Sequence, residues 1–354
     1  MKKLLLSIFA VAALFSCSKS DVIYDTPSEI GLYPVAQKTT RAAVNGTSYP
    51  DELNMYVFAN AGTATTINNS FSEVYFSNAL FVNKNGVFGG SPTPYYWPNV
   101  KKLIFSGVSA SGNVNAQSAA TTPDYDYNTT ASEWQITLAD YTPGNGTTAV
   151  GDNDLMWFTT VGPYAKDHVI GTGNDGDVDV TMKHACAWIT INIKGDAVTG
   201  ASGTSWKVNK LELTSLSTKG TATLGAAANW SNLATADKVV VQESTDGVAL
   251  TYDSATNYKG LDYTDGTTKN GETFNGLVVI PQSTCNLNVT YSYNSQGDIR
   301  ISETKSVSLA LTTGKPWAAG VHYTYNITIG TTEILVDPVI DNWTTSNETT
   351  DTTL

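Results

Sequence analysis

Apolar and polar residues alternate along much of this chain. The alternation is strict at residues 53–57, 189–193, 287–291 and 307–311. Successive side chains of a β-strand point to opposite faces of the sheet, so a period of two predicts strands with one buried face. The opposite face carries Thr, Ser and Asn, which suit a half-exposed pleated surface. The pattern therefore predicts strands throughout and almost no helix.

The strands are expected to form antiparallel β-sandwiches, because a sheet with one apolar face must bury that face against another sheet. The 354 residues suffice for about two domains. Residues 171–177 are rich in Gly and Asp, which indicates a flexible loop between two strand-rich halves. We predict an all-β fold of two tandem antiparallel β-sandwich domains, at residues 42–177 and 178–332. Residues 333–354 follow as a separate strand with a polar tail.

Apolar residues move from even-numbered to odd-numbered positions just after the predicted boundary. Val178, Val180 and Met182 are even-numbered, whereas the next strand buries odd-numbered positions such as Ile189 and Ile191. A one-residue slip moves every side chain to the other face of a sheet. We therefore expect a bulge or a change of sheet near residues 183–186.

The N-terminus has the features of an exported lipoprotein. Two lysines precede an apolar run at residues 4–15, which is shorter than the ~20 residues of a membrane span. Leu14 and Ser16 stand three residues and one residue before Cys17, which is typical of a bacterial lipobox. Residues 1–16 are thus a predicted signal peptide, and Cys17 is the predicted lipidation site that tethers the chain to the outer membrane. An ordinary signal peptide with an incidental cysteine is the alternative.

The acidic composition excludes one class of partner. Asp and Glu number 32 against 20 Lys and Arg, which gives a net charge of −12. A chain of this charge is not expected to bind the phosphates of nucleic acids. After Cys17 only Cys186 and Cys285 remain, so no disulfide framework is expected in this exported chain. Whether these two cysteines form one bridge or stay as thiols is open from the sequence.

The histidines and acidic residues form no recognised metal or catalytic motif. His168, His184 and His322 are far apart in the sequence. Residues 175–179 offer alternating carboxylates, but the glycine and the glutamate of a calcium loop are missing, so a solvated hinge is expected. We therefore predict no catalytic residue, no metal and no cofactor.

Two further features bear on sugar chemistry. Glu133, Asp152 and Asp154 would serve glycoside hydrolysis only if folding brought two of these carboxylates within about 5–10 Å of each other. Trp188 and Trp206 flank strands, where sandwich core is a more ordinary role for tryptophan than a glycan platform. The sequence therefore predicts a protein that is not an enzyme.

Several short motifs follow one another in a defined order. They are Thr39-Thr40-Arg41-Ala42, Tyr95-Tyr96-Trp97-Pro98, Asp154-Leu155-Met156, Met182-Lys183-His184-Ala185, Val278-Val279-Ile280-Pro281-Gln282, Trp317-Ala318-Ala319-Gly320 and Asp341-Asn342-Trp343. Each motif is weak alone, and their order and spacing carry the match. The succession resembles the fimbrillin-like family of Bacteroidetes pilus subunits, the type V pilins, over nearly the whole chain. The resemblance implies sandwiches of the transthyretin-like, Greek-key type.

The resemblance also implies a maturation pathway. In such pilins the lipidated precursor reaches the cell surface, and an arginine-specific or trypsin-like protease cuts near the N-terminus. A strand from the next subunit then fills the groove that the released leader leaves. The implied product is a structural subunit of an extracellular, cell-surface fimbrium that supports adhesion, with other pilin subunits as its head-to-tail partners.

The sequence offers one arginine suited to such a cut. The chain has two arginines, Arg41 and Arg300. Arg300 lies at the start of a predicted strand, where folding should protect it. Arg41 lies among Thr, Ala and Lys without a strand pattern, so we predict cleavage between Arg41 and Ala42 and removal of the leader at residues 17–41. A solvated charge in a flexible leader is the alternative interpretation.

The candidate donor strand lies near the C-terminus. Ile334, Val336 and Ile340 share one face of a period-two pattern that follows the strand at residues 323–329. Head-to-tail strand donation generates an open filament, because each subunit leaves a free groove or a free strand at the end. The alternative is a non-polymerising lipid-anchored surface protein of the same fold, with a glycan or a host protein as its ligand.

Overall fold

All regular structure in the described part of the chain is β-strand. The computed structural model describes residues 28–34, 54–110, 123–143, 154–166, 177–195, 204–250, 277–283, 285–295, 298–311, 315–330 and 334–342. The first ten strands are β1 (Gly31–Pro34), β2 (Asn54–Gly62), β3 (Glu73–Lys84), β4 (Val87–Gly90), β5 (Lys102–Ala110), β6 (Asp124–Asn128), β7 (Glu133–Tyr141), β8 (Leu155–Tyr164), β9 (Asp177–Val180) and β10 (Lys183–His184). The remaining strands are β11 (Ala187–Gly195), β12 (Thr204–Leu224), β13 (Ala228–Leu250), β14 (Leu277–Val279), β15 (Asn286–Ser295), β16 (Asp298–Ser308), β17 (Val321–Ile329) and β18 (Ile334–Asn342). The all-β prediction is confirmed.

The first sheet curls on itself and encloses its own core. Its eight strands follow the order β10-β8-β5-β2-β3-β4-β1-β9. Leu32 of β1 belongs to the same buried cluster as Val57 of β2 and Phe105 of β5, although β1 lies three strands from β2 and four from β5 in the sheet. β3 contains Asn78 with φ of 51°, next to a register shift between β3 and β2, and such irregularities bend a strand.

The second sandwich pairs a four-stranded sheet with a larger sheet. The smaller sheet follows the order β14-β11-β17-β18, and the larger follows β16-β15-β12-β7-β6, with β13 paired to β12. Ile189 and Ile191 of β11 share a buried cluster with Leu213 of β12 and Val289 of β15. The alternating pattern therefore identified the buried face of β11 and β15 correctly.

The long hairpin of β12 and β13 connects the two halves of the molecule. Thr204–Thr214 of β12 pair with β15, whereas Gly220–Leu224 pair with β7. This end of the hairpin and β7 cover the outer face of the first sheet, because Ala222 and Leu224 pack in one cluster with Phe58 and Val108. The first sandwich is thus completed by a strand pair that begins in the second.

The first sheet extends beyond residue 177, the end predicted for the N-terminal sandwich. β9 and β10 both lie in the first sheet, and Val178, Val180 and Met182 belong to its core. β11 begins the second sandwich at Ala187. The predicted change of sheet near residues 183–186 is confirmed, since it falls between β10 and β11.

Among the described strands two pairs are parallel, which alternation alone did not indicate. β1 pairs in parallel with β9, and β11 pairs in parallel with β17 over eight positions. Parallel neighbours need a long crossover connection. Here most of the first sandwich separates β1 from β9, and the strands of the larger sheet separate β11 from β17.

Candidate functional site

β1, which comes from the predicted leader, fills a slot between β4 and β9. It runs antiparallel to β4, where Leu32 lies opposite Phe88. It runs parallel to β9, where Leu32 lies beside Val178 and Pro34 beside Val180. β1 thus has hydrogen-bonded neighbours on both edges, as an interior strand does.

The residues just before β1 are held by backbone hydrogen bonds as well. The amide of Ile30 donates to the carbonyl of Tyr95 at 2.8 Å, and the amide of Trp97 donates to the carbonyl of Ser28 at 3.0 Å. Residues 28–34 therefore form an integral part of the first sandwich.

The inner face of β1 is buried in the first core. Ile30 is 2% exposed and Leu32 is 0% exposed, and both pack in the cluster that contains Phe88, Val178 and Val180. Burial of each such side chain contributes about 1.5–3 kcal/mol, and each backbone hydrogen bond adds about 0.5–1.5 kcal/mol. Departure of β1 would expose an apolar trough and the unpaired edges of β4 and β9. The slot is therefore a site that can bind one extended strand.

The sequence pattern did not predict that β9 forms one wall of this slot. Val178 and Val180 of β9 were assigned to the C-terminal sandwich, yet they line the slot in the first. The available signal was that apolar residues move from even-numbered to odd-numbered positions after Met182, because this change separates β9 from the strands of the second sandwich. Alternation does not show which strand pairs with β9.

The residues predicted for lipidation and cleavage, Cys17, Arg41 and Ala42, lie outside the described residues, as does the signal peptide at 1–16. Residues 35–40 separate the end of β1 from Arg41. A cut after Arg41 would leave β1 without a covalent link to the rest of the fold. Arg300 lies within β16. Within the described ranges, no helix has the length and apolar character needed to cross a bilayer.

The candidate donor strand β18 lies at the edge of the four-stranded sheet of its own domain. It pairs with β17 at nine positions from Ile334 to Asn342. Ile334, Val336 and Ile340 are half-buried against the second core, whereas Leu335 is 57% exposed and Val339 is 38% exposed. None of the fully buried residues of that core lies in β18. β18 thus covers the rim of a core that is largely formed without it.

A buried hydrogen bond between His184 and Asp154 joins β10 to the residue that precedes β8. His184 Nδ1 lies 2.5 Å from Asp154 Oδ2, and both side chains are almost fully buried. Burial, and then the nearby Asp154 carboxylate, raise the pKa of Cys186 well above its ordinary value. A thiol that stays protonated is a poor nucleophile. We assign this group a structural role at the junction between the two sheets.

The two described cysteines remain unbridged and lie in different cores. Cys186 belongs to the cluster under the β12–β13 hairpin, and Cys285 belongs to the core of the second sandwich. Burial raises the pKa of Cys285 to about 12. Asp177 and Asp179 lie in β9, and Asp175 is outside the described residues. Nowhere in the described ranges do three or more His, Cys, Asp or Glu residues gather as metal ligands.

The described acidic and aromatic residues considered for sugar chemistry have partners within the fold. Glu133 Oε2 accepts a hydrogen bond from the amide of Ala226 at 2.9 Å, whereas Asp154 pairs with the buried His184. Asp152 lies outside the described residues. Trp206 is 4% exposed and belongs to the second core, as the sequence indicated.

His322 is a half-buried neutral base on the outer face of the four-stranded sheet. Its ring stacks on Trp188 with centroids 3.6 Å apart, and its Nε2 lies 2.9 Å from Thr190 Oγ1. Burial lowers the pKa of His322 to about 4. The ordinary value for an unfolded chain is about 6.5. Between these two values the unfolded chain takes up a proton that the folded chain does not.

We predict that this histidine weakens the fold in mild acid. Protonation of His322 in the unfolded chain should lower the free energy of unfolding by up to about 3 kcal/mol as the pH drops from 6.5 to 4. Above pH 7 this histidine should not affect the free energy of unfolding. His322→Gln cannot titrate, so urea unfolding at pH 7 and pH 4.5 should differ less for this variant than for the wild type. An equal pH dependence in the two proteins would contradict the assignment.

The fold and the slot define an all-β, two-sandwich protein in which β1, near the N-terminus, lies between β4 and β9 of the first sheet. The chain belongs to the fimbrillin-like family, whose sequence profile matches residues 40–343. This range contains β2 to β18 and excludes β1. Membership of this family indicates a structural, non-enzymatic protein. It supports the role of a fimbrial subunit at the cell surface that associates with other pilin subunits.

Solved structures with low sequence identity are similar to this chain over most of its length. A proposed cell adhesion protein from Bacteroides uniformis is 17% identical with a TM-score of 0.50, and the match covers 90% of this chain and 99% of that one. A fimbrial protein from Bacteroides vulgatus is 15% identical with a TM-score of 0.48, over 89% and 99% of the two chains. A C-terminally truncated tip fimbrial protein from Porphyromonas gingivalis is 14% identical with a TM-score of 0.38, over 89% and 100%. No curated protein sequence matches the chain significantly.

Proposed function

We propose that the chain is a fimbrial subunit that polymerises by protease-triggered donor-strand exchange and supports adhesion at the cell surface. The observation that carries the proposal is the position of β1. A segment that precedes Arg41 fills a two-sided slot in the first sandwich, with Ile30 and Leu32 fully buried. A strand so placed keeps the slot closed until it is released.

The proposed sequence of events begins at the membrane. Lipid on Cys17 holds the precursor at the outer membrane, and an arginine-specific or trypsin-like protease cuts between Arg41 and Ala42. The cut separates β1 from the chain, so β1 is then held only by its contacts with β4, β9 and the core. An incoming strand that is covalently part of another subunit can then compete for the slot.

The proposed donor is β18, with Ile334, Val336 and Ile340 on its inner face. Its edge position supports this role, because leaving an edge breaks hydrogen bonds with one neighbouring strand, β17. Donation from the C-terminus of one copy into the N-terminal sandwich of the next does not close on itself. Such a contact extends into a filament rather than a dimer.

The mass of the N-terminus tests the trigger. We expect the protein recovered from cell-surface filaments to begin at Ala42, and the cell-bound precursor to carry a lipidated Cys17. Intact-mass spectrometry of the two fractions distinguishes these forms. Filaments in which every subunit retains Cys17 and its lipid would overturn the proposed trigger.

The alternative function is a lipid-anchored surface protein that binds a glycan or a host protein and never polymerises. One observation favours it, since β18 is already paired and half-buried in its own domain. In that case the same mass measurement would find a lipidated Cys17 on all of the surface protein, and no filaments would form.

A further inference from the structure

β18 repeats the sequence pattern of β1. The leader strand reads Ile30-Gly31-Leu32-Tyr33-Pro34, and the candidate donor reads Ile334-Leu335-Val336-Asp337-Pro338. Each has Ile, then Leu or Val two residues later, and Pro four residues later. No other isoleucine in the chain is followed by this spacing. The strand that fills the slot and the strand proposed to replace it therefore share one pattern.

The two strands also present their aliphatic residues in the same way. Ile30 and Leu32 face the first core, and Ile334 and Val336 face the second core from the rim. When the prolines are aligned in sequence, Ile334 corresponds to Ile30 and Val336 corresponds to Leu32. An antiparallel alignment would instead bring Pro338 to the start of the slot, where β1 has no proline.

We propose that β18 of one subunit enters the slot of the next in the direction of β1, with Ile334, Val336 and Pro338 in the places of Ile30, Leu32 and Pro34. This inference rests on the proposed strand exchange and adds its register and its driving force. In this register Leu335 lies opposite Gly89, because Gly31 is the partner of Gly89 in the resident strand.

The main difference between the strands is Leu335 in the place of Gly31. A cleft of about 480 Å³ lies beside the Gly31–Gly89 pair, and Val87, Gly90, Pro92 and Pro94 are among its lining residues. A Cβ atom added at Gly89 would meet no heavy atom within 4 Å, so space is open on this side of β4. Ser28, Glu29 and Ile30 of the leader also line the cleft, but Gly31 has no side chain to place there. The donor brings the side chain of a leucine to this position.

This difference gives the exchange a direction. Leu335 is 57% exposed in its own domain. Moving it into the cleft over Gly89 removes apolar surface from water, which stabilises the donor complex relative to the leader complex. The leader is thus a weaker ligand for the slot than the donor that follows it.

Pro338 fits the same register. A proline has no N–H group to donate to the strand ladder, which restricts it in the interior of a sheet. The resident strand already places Pro34 beside Val180 of β9. A donor with proline at this position therefore loses no hydrogen bond that β1 made.

One contact in this register is unfavourable. Tyr33 is the partner of Asp179 in β9, so Asp337 would take a position beside that carboxylate. Neighbouring like charges on adjacent strands are destabilising. Asp337→Asn is therefore expected to slow the dissociation of assembled filaments, whereas a different register leaves no reason for such an effect.

Cysteine cross-linking tests the register directly. In the full-length chain with Arg41 intact, Leu335→Cys is combined with Gly89→Cys, and assembled filaments are oxidised. We expect a ladder of disulfide-linked subunits on a non-reducing gel. The matched control combines Val339→Cys with Gly89→Cys, since Val339 is also partly exposed on β18 but lies about 13 Å further along the strand. The control should assemble without a ladder.

A second measurement avoids introduced cysteines. Filaments of Leu335→Gly, which has the leader's residue at this position, should dissociate in detergent about tenfold faster than wild type or more, because the cleft is left unfilled. Val339→Gly should change the rate much less. Gly31→Leu in the leader should slow assembly after cleavage, since it lets the resident strand fill the cleft.

The outcomes separate the two proposals. Filaments that cross-link through position 339, or that dissociate equally fast with Leu335→Gly and Val339→Gly, would overturn the register while strand exchange stands. A cleaved wild-type chain that forms no filaments would overturn strand exchange and this inference together.

Discussion

Replacing Arg41 with Ala is expected to abolish filament formation while the precursor stays folded and lipidated. The uncut leader remains covalently joined to residues 42–354, so β1 keeps its place between β4 and β9 at high effective concentration. A donor strand from another subunit then cannot compete for the slot. Negative-stain microscopy of sheared surface material and an intact mass give the readouts. Filaments of normal length from an Arg41→Ala chain whose mass shows no cut, after Lys38 included, would contradict the role of this residue.

Two matched variants define the protease and the site. Arg300→Ala should be cut and assembled like wild type, because Arg300 lies within β16. Arg41→Lys should still mature if the protease is trypsin-like and should accumulate as precursor if it is arginine-specific. Lys38 also lies between β1 and the predicted cut. Cleavage after Lys38 in Arg41→Ala would therefore point to the trypsin-like class.

Deleting residues 333–354 is expected to give a folded, protease-resistant monomer that cannot donate. The fully buried core of the second sandwich is formed without β18, whose Ile334, Val336 and Ile340 are only half-buried. The loss should lower the free energy of unfolding by about 2–5 kcal/mol, which urea denaturation measures. Size-exclusion chromatography after cleavage should show no assembly. A truncated, cleaved chain that still polymerises would place the donor elsewhere, with the new N-terminus at Ala42 as the next candidate.

Point variants separate donation from folding. Val336→Asp together with Ile340→Asp should block assembly as the deletion does, because the substitution at position 336 would bury an unpaired carboxylate in an apolar slot at a cost of several kcal/mol. Val339→Asp is the matched control, since Val339 is partly exposed on the same strand. This control should still form filaments. If the deletion unfolds the chain, β18 is a required part of its own domain and the non-polymerising alternative gains support.

Mixing the two defective subunits gives the sharpest test of exchange. The Arg41→Ala chain retains β18 but keeps its own slot closed, so it can donate and cannot accept. The cleaved chain without residues 333–354 has an accessible slot but no β18, so it can accept and cannot donate. Together they should form one-to-one heterodimers and nothing longer. Heterodimers that also form when both chains lack residues 333–354 would exclude β18 as the donor.

The sequence by itself determined the strands and their buried faces. Alternation at residues 189–193 and 287–291 predicted which side chains of β11 and β15 enter the second core, because side-chain direction in a strand has a period of two whatever its neighbours are. The move of apolar residues from even-numbered to odd-numbered positions after Met182 located the point where the chain leaves the first sheet for the second sandwich. The ordered motifs also indicated the family, which the match over residues 40–343 confirmed.

Tertiary structure alone decided which strands are neighbours. Residues 28–34 are too short and too ordinary in sequence to predict that they lie between β4 and β9, or that Val178 and Val180 form one wall of their slot. Cys186 and Cys285 likewise carry no local signal that they lie in different cores. Strand pairing depends on register and sheet order among residues far apart in the chain, and a local alternation of polarity contains neither.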